Sequence, residues 1–191
     1  MIVLIDNYDS FTFNLYSYLG FFEQIRVLKN TESLSLLKNI SDLKAIVISP
    51  GPSHPKNAML SVDAVEFFGG RLPIFGVCLG MQVIGFVYGF SIRRAKTVMH
   101  GRVDKIQIIE NSVIFEGINE TFDATRYHSF VVDGSGDGFS KTAISLSDNE
   151  TMAIENSNLK IYGVQFHPES YTTQFGLQIV KNFIKGVCHV D

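Results

Sequence analysis

The sequence predicts an α/β protein: an open, mostly parallel sheet flanked by helices, with additional antiparallel strands in the C-terminal half. Three observations carry this. Short apolar runs rich in β-branched residues alternate with helix-like stretches through the first half, as βαβ units do. Those runs are apolar throughout, which suits strands buried on both faces beneath helices. In the second half, strand-like runs follow one another without long helices between them.

Taken in order, "IVLI" (2–5) is the first strand, and a helix follows over 10–20 with Asp9 or Ser10 as its N-cap. "IRVL" (25–28), "AIVIS" (45–49) and "PIFGV" (73–77) are the next strands, separated by helical stretches at 33–39 and 60–68 and followed by one at 79–88. Beyond them come "VDKIQII" (103–109), "FDATRY" (122–127), "KTAISLS" (141–147), "TMAIEN" (151–156) and "KIYGVQF" (160–166). "SDNE" and "NSNLK" serve as turn-like spacers. The last helix, about 173–186, places Phe175, Ile179, Val180, Phe183 and Ile184 on one buried face.

With 191 residues, 46% of them hydrophobic, the chain can bury one sizeable core, and a single domain over 1–191 is expected. The net charge of −3 and the lack of clustered Lys and Arg argue against a nucleic-acid partner. The most basic stretch, 91–105, reads as a solvated strand-and-turn face. Two cysteines, Cys78 and Cys188, are too few for a disulfide framework, and the histidines lack metal-ligand spacing, so neither metal nor cofactor is expected. The start lacks a signal-peptide pattern, and no apolar run reaches the ~20 residues that span a bilayer. A soluble, cytoplasmic protein with no membrane partner is the expectation.

The chemistry begins at "GVCLG" (76–80). A strand ends at Val77 and a helix begins near Leu79, so Cys78 occupies a sharp turn between them. Glycine–x–nucleophile–x–glycine is the elbow pattern, here with cysteine in place of serine. The flanking glycines allow tight packing and strained dihedrals, and the turn presents the side chain at the carboxyl edge of the sheet. A free thiol has a pKa near ~8.5. Lowering it by about 2 units takes about 2.7 kcal/mol, whereas a helix N-terminus supplies about 0.3–1. A nearby imidazolium should supply the rest.

"GVQFHPES" (163–170) offers that imidazole. Proline pushes the residue before it toward extended geometry, and residues i and i+2 of extended chain share a side. His167 and Glu169 would then lie together, with the carboxylate orienting the ring, as in nucleophile–base–orienter catalysis. An oxyanion needs backbone donors. The Leu79 N–H is one candidate, and a second can come from the stiff loop "ISPGPSHP" (48–55).

Together, the elbow, "QFHPES", "IDNYDSFTFNL" and "RYHSF" (126–130), with "VMHG" (98–101) in support, resemble the class I glutamine amidotransferases, the Cys-His-Glu triad family. The likeness covers nearly the whole chain and is strongest to the small subunits of anthranilate synthase and 4-amino-4-deoxychorismate synthase. The resemblance implies Cys78 as nucleophile, His167 as base and Glu169 as its orienter. It implies Gly51 and Leu79 as backbone oxyanion donors. Gly51, Pro52, Ser53, Gln82, Ser129 and Phe130 would line the substrate site. It further implies L-glutamine as substrate and delivery of ammonia to a larger, chorismate-binding synthase subunit, contacted through the "DNYDSFTFN" region. Ser53, Met59 and Phe90 stand where the family usually carries glycine.

Three rival readings use the same residues. "YDSFTFN" after a first strand is similar to the phosphate loop of flavodoxin-like binding modules, but it lacks a glycine near the helix start and leaves the Cys-His-Glu set unexplained. A γ-glutamyl cysteine hydrolase of another class would share the elbow. A catalytically idle scaffold subunit would keep only the partner surface.

Overall fold

The alternation of side chains along each apolar strand builds two cores, one on each face of the sheet. In β1 (Ile2–Asp6), Ile2 and Leu4 enter one core, and Val3 and Ile5 the other. β3 (Ala45–Ile48) and β4 (Ile74–Val77) divide in the same way, with Val47 and Phe75 on the first face and Ile46 and Ile74 on the second. Both faces are then covered. Helices α1 (Thr12–Gly20) and α5 (Gly176–Asn182) bring Leu15, Leu19, Ile179 and Val180 to the first core. The second receives Leu37 from α2 (Leu34–Lys38), Ala64 and Val65 from α3 (Leu60–Phe68), and Met81 and Val83 from α4 (Leu79–Val87). Each fully buried Val, Leu, Ile or Met side chain among them contributes about 1.5–3 kcal/mol.

The computed structural model describes residues 1–188. Among them, the strands form one nine-stranded sheet, ordered β2-β1-β3-β4-β9-β8-β7-β5-β6. β2 (Ile25–Lys29), β1, β3, β4 and β9 (Ile161–Val164) run parallel. β8 (Thr151–Asn156), β7 (Ser140–Ser145), β5 (Ser91–Ile108) and β6 (Thr121–Asp133) continue the sheet antiparallel. This is the α/β architecture expected from the sequence. No helix among the described residues is long and apolar enough to cross a membrane.

The chain reverses its direction of growth across the sheet at β1, where β2 is laid down on one side and β3 on the other. In open α/β sheets, ligands bind beyond the carboxyl ends of strands near such a switch. Beyond those ends lie Asn7 after β1, Ser49–Gly51 after β3 and Cys78 after β4.

Several expected boundaries shift. The strand expected to end at Phe166 ends at Val164: the Gln165 N–H still donates to Met152 O in register with β8, but the His167 N–H donates to Thr125 O, which carries the chain away from β8 to β6. The final helix starts at Gly176 and passes into a π-helical turn at Phe183–Val187. Residues 173–175 are held outside it, where Thr173 Oγ1 donates to His167 O at 2.6 Å and Phe175 takes a left-handed φ of 58°. The N-cap of α1 is Phe11, with no side-chain cap; Asp9 accepts the Phe11 N–H one step earlier, at 2.8 Å. The basic stretch and its neighbour are one 18-residue strand, β5, whose register against β6 shifts between Arg94 and Met99 and between His100 and Arg102.

Two helices open on residues of nearly the same unusual conformation. Cys78 has φ 53° and ψ −101° before α4, and Met59 has φ 31° and ψ −105° before α3. Such a backbone costs a residue with a Cβ about 1–3 kcal/mol. Met59 is 55% exposed, so its side chain returns little packing. Met59→Gly is therefore expected to stabilise the protein by about 1 kcal/mol after the entropic cost of glycine, a rise of about 2–4 °C in Tm. Calorimetry of the two chains checks this; a lower Tm for the glycine variant contradicts it.

Candidate active site

The turn at Cys78 is built by close packing of backbone on backbone. A Cβ on Gly76 would stand 2.4 Å from the Gly80 carbonyl carbon, and one on Gly80 would stand 2.4 Å from Ile48 O. No side chain fits between β4, the first turn of α4 and the end of β3. The Cys78 N–H donates to Val164 O at 2.8 Å, so the end of β9 holds the turn from the other side. Its sulfur lies 3.6 Å from Tyr127 O and 3.6 Å from Gln165 Nε2.

The segment after β9 supplies the imidazole. His167 Nδ1 and Glu169 Oε1 are 2.6 Å apart, and both residues are buried. The rings of Phe11 and Tyr127 stand edge-on to the imidazole, with centroids at 5.7 and 5.3 Å. Burial opposes a charged ring. The Glu169 carboxylate and the Cys78 sulfur outweigh it and hold His167 well above the ordinary histidine range. His167 Nε2 is buried without a hydrogen-bond partner among the described residues, and the Cys78 sulfur is near enough to contribute to raising the ring's pKa.

The loop after β3 is fixed through Asn7. The Asn7 N–H donates to Ser49 Oγ at 2.9 Å and its Nδ2 to Ser49 O at 3.1 Å; its Oδ1 accepts from Asn30 Nδ2 and Ser61 Oγ. Gly51 packs so tightly on this frame that a Cβ would meet Leu79 Cδ2 at 2.6 Å and Asn7 Cβ at 2.7 Å. The expected donors, Gly51 and Leu79, are thus neighbours. A cavity of about 240 Å³ gathers Gly51, Pro52, Ser53, Cys78, Gln82, Ser129 and Phe130, joined by His100, Tyr127 and His128. His167 and Glu169 do not line it; Glu169 instead borders a second cavity of about 400 Å³ with Phe11, Asn14, Tyr127 and Tyr171.

The far wall of the first cavity rests on a buried cation. Arg126 is fully buried and pairs with Asp104 and with Asp148, the latter at 2.9 Å. Its Nε donates to His128 Nε2 at 3.0 Å, and His128 Nδ1 lies 3.1 Å from Phe130 O. Gln82 Nε2 also donates to Phe130 O, at 2.9 Å. A neighbouring ion pair joins Arg93 to the buried Glu150 at 2.7 Å. Asp148 and Glu150 both belong to "SDNE", so a stretch read as a spacer anchors two arginines.

Sequence reasoning did not single out Asn7, His100, Arg126, Tyr127, His128 or Gln165 as site residues. Gln165 had a usable signal: the two-residue alternation that pairs His167 with Glu169 runs back to it, while Phe166 between them enters the core. Arg126 had none, since a lone arginine in a strand reads as a surface residue.

Known proteins are similar to this chain in sequence and fold. The profile of the family described as "Glutamine amidotransferase class-I" matches residues 3–187. The chain is 44% identical over 189 residues to the aminodeoxychorismate/anthranilate synthase component 2 of Bacillus subtilis strain 168, covering 97% of this chain and 96% of the relative. It is 43% identical over 192 residues to the anthranilate synthase component 2 of Saccharolobus solfataricus, covering 97% and 98%. Among solved structures, a Thermoplasma acidophilum protein described as one of the subunits of GMP synthase superposes with a TM-score of 0.86 at 26% identity, over 98% of this chain and 93% of that one.

Two histidines link stability to pH with opposite signs. Burial, and then the charge of Arg126, lower His128 from 6.5 to about 4. As pH falls from 6.5 toward 4, the unfolded chain gains a proton there that the native chain refuses, and stability drops. His167, held above 6.5, has the opposite sign: its contribution is complete below 6.5 and is lost as pH rises through its elevated folded value. The lowered carboxylates begin to lose theirs only as pH nears their unfolded values, 4.5 for Glu150 and 3.8 for Asp133 and Asp148, so they act at the acid edge of this range and below it. Urea midpoints between pH 6.5 and 4 are expected to fall in the wild type and to flatten in His128→Asn; equal slopes in the two chains contradict the assignment.

Proposed function

The chain belongs to the class-I glutamine amidotransferases, and on that premise we propose that it is the glutaminase component of a chorismate-aminating synthase, with Cys78, His167 and Glu169 as its catalytic triad. One observation carries the assignment of roles. The cavity that gathers Gly51, Gln82, Ser129 and Phe130 is lined by Cys78, and the buried His167–Glu169 pair is near enough to that sulfur for it to help raise the imidazole's pKa.

In this reading, the Cys78 thiolate attacks the side-chain amide carbon of L-glutamine. The C–S bond forms as the carbonyl π pair moves to oxygen, and the N–H groups of Gly51 and Leu79 receive the oxyanion. Collapse breaks the C–N bond, with the departing nitrogen taking a proton from the His167 imidazolium, and ammonia leaves. Neutral His167 then draws a proton from water as the water attacks the γ-glutamyl thioester. The C–S bond breaks, the electron pair returns to sulfur, and glutamate is released. Glu169 keeps the ring in one orientation and stabilises its charge throughout. Ser129 and Phe130 hold the α-amino and carboxylate end of the substrate, and Gln82 contacts the glutamine from the helix after the elbow.

In this reading residues 1–191 act as a glutaminase domain, and the ammonia is consumed on the larger chorismate-binding subunit. The face around α1 suits that contact. Tyr8, Phe13 and Tyr16 are exposed there, as is Tyr171 beside the second cavity. A biosynthetic reaction of this kind places the protein in the cytoplasm.

The rival hydrolase and flavodoxin-like readings lose their footing with the family assignment. The idle-scaffold reading is tested by Cys78→Ser. In complex with the synthase subunit, this variant is expected to lose glutamine-dependent product formation while keeping the ammonia-dependent reaction. Loss of both activities contradicts the division of labour, and retention of both removes Cys78 as the nucleophile. Isolated wild-type chain is expected to hydrolyse glutamine weakly and to speed up when the partner is added; equal turnover alone and in complex contradicts partner gating.

A further inference from the structure

Gln165 is fully buried against the Cys78 sulfur, and its amide can face that sulfur in only one way. The direction is set at Phe130 O, a carbonyl that can only accept. Gln82 therefore turns its NH₂ toward Phe130, at 2.9 Å. That same Nε2 lies 3.1 Å from Gln165, which must answer with its own acceptor, Oε1. The remaining end of Gln165, Nε2, is left to donate to the sulfur at 3.6 Å.

Phe130 O is fixed independently from the other side. The Arg126 guanidinium can only donate, so His128 Nε2 accepts from it at 3.0 Å. The proton of the neutral ring then sits on Nδ1 and is donated to Phe130 O at 3.1 Å. One directed chain thus runs from the buried Asp104–Arg126–Asp148 cluster to the sulfur, through His128, the Phe130 carbonyl, Gln82 and Gln165. The Gln165 main chain is pinned as well, its N–H donating to Met152 O at 2.8 Å.

We propose that Gln165 is a further catalytic residue of the glutaminase reaction: its amide N–H caps the Cys78 sulfur and favours the thiolate, both before attack and when the C–S bond of the thioester breaks. A donor whose orientation is preset stabilises charge on sulfur without reorganising. A hydrogen bond to an ionised acceptor is stronger than one to a neutral acceptor, so the N–H discriminates thiolate from thiol. Gln82 and Phe130 belong to the substrate cavity, so the same chain couples occupation of that cavity to the donor on the sulfur. The proposal rests on Cys78 being the nucleophile.

The test is alkylation of Cys78 by iodoacetamide in the full chain, followed as a function of pH by mass spectrometry of the Cys78 peptide. Gln165→Met keeps the length and removes the donor. Gln165→Glu keeps the acceptor toward Gln82 and turns a second oxygen toward the sulfur, and it carries the test if the methionine variant does not fold. Each variant is expected to react about tenfold more slowly at neutral pH, with the midpoint of the pH profile moved up by about one unit and the plateau rate at high pH kept. A merely structural role lowers glutaminase activity without moving that midpoint, and an unmoved midpoint in a folded variant overturns the proposal. Glutaminase activity surviving in Cys78→Ala instead overturns the nucleophile assignment on which it stands, so the two failures are distinguishable.

Discussion

The contact between Gly76 and Gly80 is the constraint on which the site depends. Backbone meets backbone there at a separation that no Cβ could enter, and the turn that results forces Cys78 to φ 53°. The strain of about 1–3 kcal/mol is sustained because three strands surround the turn: β4 ends in it, Ile48 O of β3 lies against Gly80, and Val164 O of β9 accepts the Cys78 N–H. Met59 adopts nearly the same conformation with no such enclosure and no chemistry attached. The comparison separates a backbone distortion that presents a nucleophile from one that is only tolerated.

Around that turn, the site is assembled from the ends of parallel strands by buried polar side chains rather than by loop flexibility. Asn7 gathers β1, the Ser49–Gly51 loop, Asn30 and Ser61 through one amide. The opposite wall depends on Arg126, whose guanidinium is neutralised by two carboxylates and held away from water. Removing one partner of such a cluster leaves a buried charge uncompensated, at a cost of about 3–5 kcal/mol. The antiparallel half of the sheet therefore does more than extend the core: β5, β6 and the turn before β8 supply the anchor that fixes the Phe130 carbonyl.

Much of this was legible in the sequence, and what was not has a common cause. The parallel half is written in local periodicity, and a run such as "IVLI" declares a strand with two buried faces. The elbow and the His167–Glu169 pair are short motifs whose geometry follows from a turn and a proline. By contrast, Arg126 meets its partners across 22 residues, at Asp104 and at Asp148, and such pairing leaves no local trace. The expected cap at Asp9 or Ser10 failed because Asp9 folds back on the Phe11 N–H, in a turn that precedes the helix. In sequence 91–105 reads as a solvated strand-and-turn face beside a strand at 103–109; the structure joins them as β5, with the breaks in pairing confined to register shifts between Arg94 and Met99 and between His100 and Arg102. Resemblance to a family supplied the substrate-side residues; the alternation back from His167 could have pointed to Gln165, but its role as a donor to the sulfur emerges only once the direction of each hydrogen bond is followed from a carbonyl.

The most direct measurement is capture of the covalent intermediate. Wild-type chain in complex with its synthase subunit is mixed with γ-carbon-labelled glutamine, quenched in acid during turnover and digested for peptide analysis. The label should sit on Cys78 as a γ-glutamyl thioester and be released by hydroxylamine. A turning-over enzyme that carries no label, or carries it on another residue, contradicts the account.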